Sequence, residues 1–540
     1  MAPIKGAFLF QKNSLIYVPY CVNIKKEVTH MKTYLGIEFG STRIKAVQID
    51  ENFKVASSGD YTWKSSFENG VWTYDLDEAV KGLKCALSGI KDKDSIASVG
   101  ISGMMHGYLA FDKDWNLLTP FRTWQNTMTG EAADKLTSLF NFNIPQRWSI
   151  AHLYQALLGS EEHINNVAHI TTLAGYIHYL LTGVNAVGIG EASGIFPIDC
   201  ETSDYNALMI EKFDELVSSY NLSWKLRDVL PDVLPAGKMA GSLTKEGAEL
   251  VDNMLDVGIP FAPPEGDAGT GMVATNAISS RTGNVSAGTS IFSMVVLEKP
   301  LSSVYPEIDI VTTPDGKDVA MVHCNNCTND SNAWISVLGE TANLFGAEPE
   351  TGDLYTKLYE KSLEGDDDCG GLVVCNYMAG EGVTHMDSGV PMVVRAAGCK
   401  FTLANFIRAT LYSSISTLKI GMEILEKENV KIDSLVGHGG FFKTKNVGQR
   451  YLAAACNTPV TCMETAGEGG PYGMAILSSY IFNEGENLGE YLETRVFCDA
   501  KRSVANPEKS MKDGFDKYMK AYKKMLAVEK AAVDSFKEEE

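Results

Sequence analysis

The sequence predicts an α/β protein of two related domains facing one cleft, and three observations predict it. At 540 residues the chain is too long for a single hydrophobic core. Apolar strand-like runs alternate with helical spacing almost throughout, as where the run 95–102 follows the helical pattern of 76–90. One local pattern also occurs twice, about 250 residues apart: an apolar run, a turn of small residues, then a second apolar run.

Residues 1–30 contain one short apolar run, Gly6-Ala7-Phe8-Leu9-Phe10, too soon followed by Lys12 to read as a signal peptide. The strand pattern starts after Met31, so 1–30 reads as an appendage. The first copy of the repeated pattern is LGIEFGSTRIKAVQID, residues 35–50. Its turn, Gly40-Ser41-Thr42, allows a tight bend whose amides and hydroxyls can face an anion. Glu38 stands just before that turn, and an ordinary cross-strand ion pair with Lys45 is one reading of it. Further on, Pro263-Pro264-Glu265-Gly266-Asp267-Ala268-Gly269 sets an acid among glycines, where a carboxylate can reach a ligand or merely shape a turn.

The second copy is GNVSAGTSIFSMVVL, residues 283–297, turning at Gly288-Thr289-Ser290. A third glycine cluster, Gly437-His438-Gly439-Gly440, lies between a short strand at 433–436 and a helical stretch at 446–456. Strand, glycine turn and helix in that order can admit a nucleotide to the backbone, or simply pack a helix on a sheet. Residues 507–540 are rich in Lys, Ala and Glu at helical spacing and read as a terminal helix with a solvated acidic end. The expected divisions are 1–30, 31–280, 281–500 and 501–540.

Composition excludes several classes. Lys and Arg number 47 against 68 Asp and Glu, a net charge of −21, which argues against an electrostatic nucleic-acid footprint. An anionic ligand would need local backbone donors. Eleven cysteines without framework spacing suit a reducing, cytoplasmic compartment. The close pair in His323-Cys324-Asn325-Asn326-Cys327 lacks the second ligand pair that a zinc site would show. No apolar run reaches about 18 residues, so no membrane span is expected. No Gly-x-x-x-x-Gly-Lys-[Ser/Thr] loop occurs, so a nucleotide would be held by another architecture.

Together and in this order, over roughly residues 32–485, these segments resemble the FGGY family of carbohydrate kinases, members of the actin-like ATPase superfamily. The resemblance rests on residues 36–50, Gly266-Asp267, residues 286–290 and residues 436–454. It extends to Gly103-Met104-Met105-His106-Gly107, Trp124-Gln125-Asn126-Thr127, Leu181-Thr182-Gly183, Glu191-Ala192-Ser193-Gly194 and Gly380-Glu381. It implies two actin-like, ribonuclease H-like domains facing a central cleft: a sugar-binding domain over 31–280 and a nucleotide-binding domain over 281–500.

The chemistry implied is transfer of the γ-phosphate of ATP to a sugar hydroxyl, with Mg²⁺. Asp267 would take the hydroxyl proton as general base. Gly40, Ser41 and Thr42 would cradle the phosphates from one side and Gly288, Thr289 and Ser290 from the other, with Lys45, or Arg43 in its place, balancing charge. Gly439 and Gly440 would admit adenine. Met105, His106, Trp124, Asn126 and Asp267 would line the sugar pocket. Glu38, where the family usually has Asp, would help hold the cation with Asp267.

The sequence also departs from the xylulose kinase pattern, with Ala268 for Asn after the catalytic acid, Asn126 for a second Asp and Gly382 for Arg. D-xylulose is the favoured acceptor, with L-ribulose, L-xylulose or another ketose or polyol as alternatives. An actin-like ATPase that moves a partner, or a sugar- or nucleotide-binding regulator without turnover, is the alternative class. Sugar-dependent ADP release separates both from a kinase. The expected partners are the sugar and ATP alone, with no nucleic acid or membrane, and a homodimer as a possible assembly.

Overall fold

The structure is a computed structural model and describes residues 31–463, 469–483 and 485–537. The expected appendage 1–30 and the last three residues of the acidic end lie outside the described residues.

The first apolar pattern folds as expected. Strand Thr33–Phe39 pairs antiparallel with Arg43–Asp50, which pairs antiparallel with Val55–Thr62. On the other side Ile96–Gly103 runs parallel to Thr33–Phe39, and the short strand Glu265–Gly266 closes that edge. Leu35, Ile37, Phe39, Ile44 and Ala46 are fully buried in one core cluster, and Val47 and Ile49 in another, so both faces of this sheet are covered. Helix Leu76–Ser88 packs against its outer strands and is capped by Asp75, whose side chain accepts from Asp77 N–H at 2.8 Å.

The other face is covered from far along the chain. Helix Gly470–Tyr480 lies on strands Thr33–Phe39 and Ile96–Gly103. It can do so because residue 36 is glycine: a Cβ there would overlap the backbone of Pro471 and Ala475 and lie 2.9 Å from the Met474 carbonyl carbon. Buried residues from Tyr472 to Phe497 share a core with Val47, Met105 and Trp148. A segment from the second half thus completes the core of the first.

The second sheet repeats the first. Its order is Asp309–Thr312, Asp318–Cys324, Ile291–Val296, Thr282–Ala287, Ser434–His438, Val460–Met463 and Arg502–Ala505. As in the first sheet, a hairpin and a third antiparallel strand are followed, beyond the hairpin's first strand, by a parallel one. The terminal segment is not a separate tail. Arg502–Ala505 pairs with Val460–Met463, and helix Lys509–Lys537 buries Met511, Phe515, Tyr518, Met519 and Tyr522 in the second core. Its apolar face meets Tyr412 of the long helix Leu403–Lys427, with ring centroids 4.8 Å (Phe515) and 5.4 Å (Tyr518) away. Among the described residues no helix is long and apolar enough to cross a membrane.

Candidate active site

The first turn is built to expose donors. Gly40 N–H closes it on Arg43 O at 3.0 Å. The carbonyls are then held from behind: Trp63 Nε1–H donates to Gly40 O (2.7 Å), the Tyr74 hydroxyl to Ser41 O (2.7 Å) and Trp63 N–H to Thr42 O (3.2 Å). With the acceptors turned away, exposed Ser41 and Thr42 present hydroxyls at the rim, which suits an anion. Arg43, the alternative to Lys45 for charge balance, pairs at the surface with Asp60 at 3.5 Å. Lys45 lies opposite Glu38 in the strand register.

The second turn repeats this arrangement with different partners. Gly288 N–H donates to Ser290 O (2.9 Å), Cys327 N–H to Thr289 O (3.0 Å), and Thr328 to Gly288 O through both its amide (3.1 Å) and its hydroxyl (2.8 Å). The Cys324–Cys327 pair thus has a structural place. Both thiols are buried, which pushes them up, and no group of three or more metal-ligating side chains occurs among the described residues. Asn326, between them, accepts from Met378 and Ala379 N–H (2.8 and 3.0 Å) and donates to Glu381 (3.2 Å), whose carboxyl burial pushes up to about 7.

The glycine cluster follows strand Ser434–His438. Gly439 has φ +98°, and a Cβ there would overlap the backbone of Ala287, immediately before the second turn. A Cβ at Gly440 would meet nothing within 4 Å, so open space adjoins the backbone there. Helix Gly448–Cys456 follows, close to its expected span.

Two carboxylates share the cleft floor. Asp267 begins helix Asp267–Ala274, and its Oδ1 accepts from Met105 N–H at 3.1 Å and from Ala268 N–H at 2.9 Å. Its carboxyl opens to the cleft, yet the surrounding protein displaces enough water to raise its pKa, while those amides pull the other way. Glu38 is pushed up to about 8, first by burial and then by the charge of Asp267, against the pull of Lys45. An acid whose ionisation is opposed by burial and by a neighbouring carboxylate, as Glu38 is, is relieved by a cation. A pair of carboxylates beside a phosphate-binding turn suits Mg²⁺, which keeps several waters and needs no full protein cage.

The structure brings Met105 and His106 to Asp267. Both are buried, and Met105 joins directly through its amide. His106 has φ +73°, stacks on Trp148 with centroids 6.2 Å apart, and has Nδ1 3.4 Å from Gly194 O. Burial and nearby Arg147 hold its pKa well below the ordinary value, so the ring is neutral. Because Gly194 O can only accept, its approach favours the tautomer protonated at Nδ1, which leaves Nε2 as an acceptor. Trp124 is 38% exposed. Asn126 is tied into the fold: its Oδ1 accepts from Trp72 N–H (2.9 Å) and its Nδ2 donates to Trp72 O and Thr123 O (2.8 and 3.0 Å), so the amide staples two segments.

Sequence reasoning missed the supports. Trp63 and Tyr74 carry no motif. Glu265, two residues before Asp267, accepts from Glu191 N–H at 3.0 Å and Gly190 N–H at 3.4 Å, and burial pushes it up to about 8. An acid inside an apolar run beside the catalytic candidate was the available signal.

Comparison with known proteins shows which family the chain resembles over both halves. The model of the N-terminal domain of the FGGY family of carbohydrate kinases matches residues 33–274, and that of the C-terminal domain matches residues 283–481. The xylulose kinase of Haemophilus influenzae is 23% identical over 520 residues, covering 91% of this chain and 98% of its own. The structure of ligand-bound xylulose kinase from Lactobacillus acidophilus superposes with a TM-score of 0.76 at 17% identity, covering 92% of this chain and 98% of the other. That of gluconate kinase from the same organism also gives 0.76, at 18% identity, covering 94% and 100%. The fold is therefore that of two actin-like domains facing a cleft.

Proposed function

Because this chain belongs to the FGGY family of carbohydrate kinases, and so is an ATP-dependent sugar kinase, we propose that it phosphorylates a ketose, with D-xylulose the favoured acceptor. The observation that carries this reading is the join between chemistry and pocket: the Met105 amide that holds Asp267 belongs to the same turn as His106. Support for D-xylulose comes from the xylulose kinase relative, which aligns along nearly its whole length.

In this reading Asp267 accepts the proton of the attacking hydroxyl, and His106 Nε2 accepts a hydrogen bond from another hydroxyl and orients the sugar. The turns Gly40–Thr42 and Gly288–Ser290 hold the phosphates from opposite sides. Adenine lies beside Gly439 and Gly440. Glu38 and Asp267 would hold Mg²⁺, which would supply charge neutralisation at the phosphates. ADP release measured over a panel of ketoses, polyols and aldonic acids tests the acceptor. D-xylulose is expected to give the highest kcat/KM, and a clear lead for another compound replaces it.

Two variants probe the residues. His106→Ala is expected to cost about 1–3 kcal/mol in kcat/KM for the sugar, since a hydroxyl is left unpaired in a closed site. The Kd for ATP measured without sugar should stay within about twofold. Equal weakening of both ligands would assign His106 to holding the fold. Glu38→Gln is expected to raise the Mg²⁺ concentration for half-maximal rate roughly 10-fold, the scale seen for outer ligands. An unchanged titration would leave Glu38 as the cross-strand partner of Lys45.

A further inference from the structure

We propose that Asp309, which belongs to the nucleotide-binding half, is a positioning residue for the sugar pocket and acts through Arg147 of the opposite half. The inference rests on the reading of Met105 and His106 as pocket residues.

Asp309 opens the edge strand Asp309–Thr312 of the second sheet, and this strand docks on the first half of the chain at two places. At the first, Asp309 Oδ2 forms an ion pair with Arg147 Nη2, and Oδ1 accepts from Asn143 Nδ2 at 3.1 Å while the same amide donates to Ile308 O at 3.0 Å. The pair is shielded, with side chains 23% (Arg147) and 10% (Asp309) exposed. Arg147 and its next two residues grip the turn that carries His106. Gly107 N–H donates to Arg147 O at 3.2 Å, Trp148 stacks on the His106 ring, and the Ser149 hydroxyl donates to Gly107 O. His106 needs that grip, because a non-glycine residue at φ +73° is strained and persists only where its surroundings hold it.

At the second place, Thr312 N–H donates to the Ser193 hydroxyl (3.0 Å) and the Thr312 hydroxyl to Ile189 O (2.9 Å). The adjoining Gly194 supplies the carbonyl that faces His106 Nδ1. One strand of the nucleotide-binding half therefore touches both supports of the histidine, one through a charge pair and one through neutral hydrogen bonds. The charge pair is the tie that can be broken without changing shape.

The test is Asp309→Asn, which keeps the acceptor for Asn143 and removes the charge facing Arg147. The sugar KM is expected to rise roughly 10-fold, as small displacements of a positioned group do, with the Kd for ATP within about twofold. Arg147→Gln should give the same split, and the double variant should be no worse than either single one. Asp309→Glu, which keeps the charge, should retain more sugar affinity than Asp309→Asn. A role limited to packing would reverse that order, since Asn is the isostere, and the reversed order overturns the proposal. So do additive single effects, parallel weakening of ATP and sugar, or an unchanged sugar KM. His106→Ala, assayed alongside, separates the two readings. If it leaves sugar kinetics unchanged, the pocket reading fails; if it weakens the sugar while Asp309→Asn does not, only the present inference fails.

Discussion

Replacing Asp267 by Asn is expected to lower kcat at least about 100-fold, within the 10²–10⁴ range of a general base, while the Kd for nucleotide measured without Mg²⁺ stays within about twofold. The amide cannot take a proton from the attacking hydroxyl, yet it is the same size, and its oxygen can still accept from Met105 and Ala268 N–H. The local backbone should therefore persist. The phosphate turns are held by other groups, Trp63 and Tyr74 for one and Cys327 and Thr328 for the other, so in the absence of the cation nucleotide binding does not pass through Asp267. Sugar-dependent ADP release and a separate nucleotide titration measure both quantities. Near-normal turnover would remove Asp267 from the catalytic role.

Gly36→Ala is expected to destabilise the first half of the molecule by about 3 kcal/mol, at the upper end for overpacking. A domain of this size should then melt roughly 6–12 °C lower. The added methyl would overlap Pro471 O and Ala475 N, which are backbone atoms and cannot rotate aside. Helix Gly470–Tyr480 would have to lift off the sheet, and it carries buried Tyr472, Met474, Ile476 and Leu477. Gly440→Ala is the control: its methyl meets nothing within 4 Å, so Tm should not move. An unchanged Tm for Gly36→Ala would show that the helix does not sit on this sheet in solution.

What was legible in the sequence was what short stretches specify by themselves. The hairpins at Gly40 and Gly288 were readable because alternating apolar residues around a glycine turn encode a strand pair within sixteen residues or so. The strand, turn and helix around Gly439 were readable for the same reason. Asp267 and His106 could be proposed only because neighbouring residues made a recognisable pattern. At Asn126 the motif gave no sign of the staple that its amide makes to Trp72 and Thr123. The supports of the first turn, Trp63 and Tyr74, come from outside the hairpin, and the Arg147–Asp309 pair joins residues with no pattern in common. The terminal helix was placed correctly as a helix. Its burial on Tyr412 depended on a partner a hundred residues away.

The return of helix Gly470–Tyr480 to the first sheet also sets the order in which this molecule can be finished during synthesis. When residues 31–280 have left the ribosome, the face of strands Thr33–Phe39 and Ile96–Gly103 that this helix covers is still bare. It stays so until the chain through Phe497 has emerged, roughly 10–40 s later at ordinary elongation rates. During that interval the nascent chain exposes apolar surface that nothing yet made can cover, so chaperone dependence should be concentrated there. A fragment ending near residue 280 would be left permanently in that state.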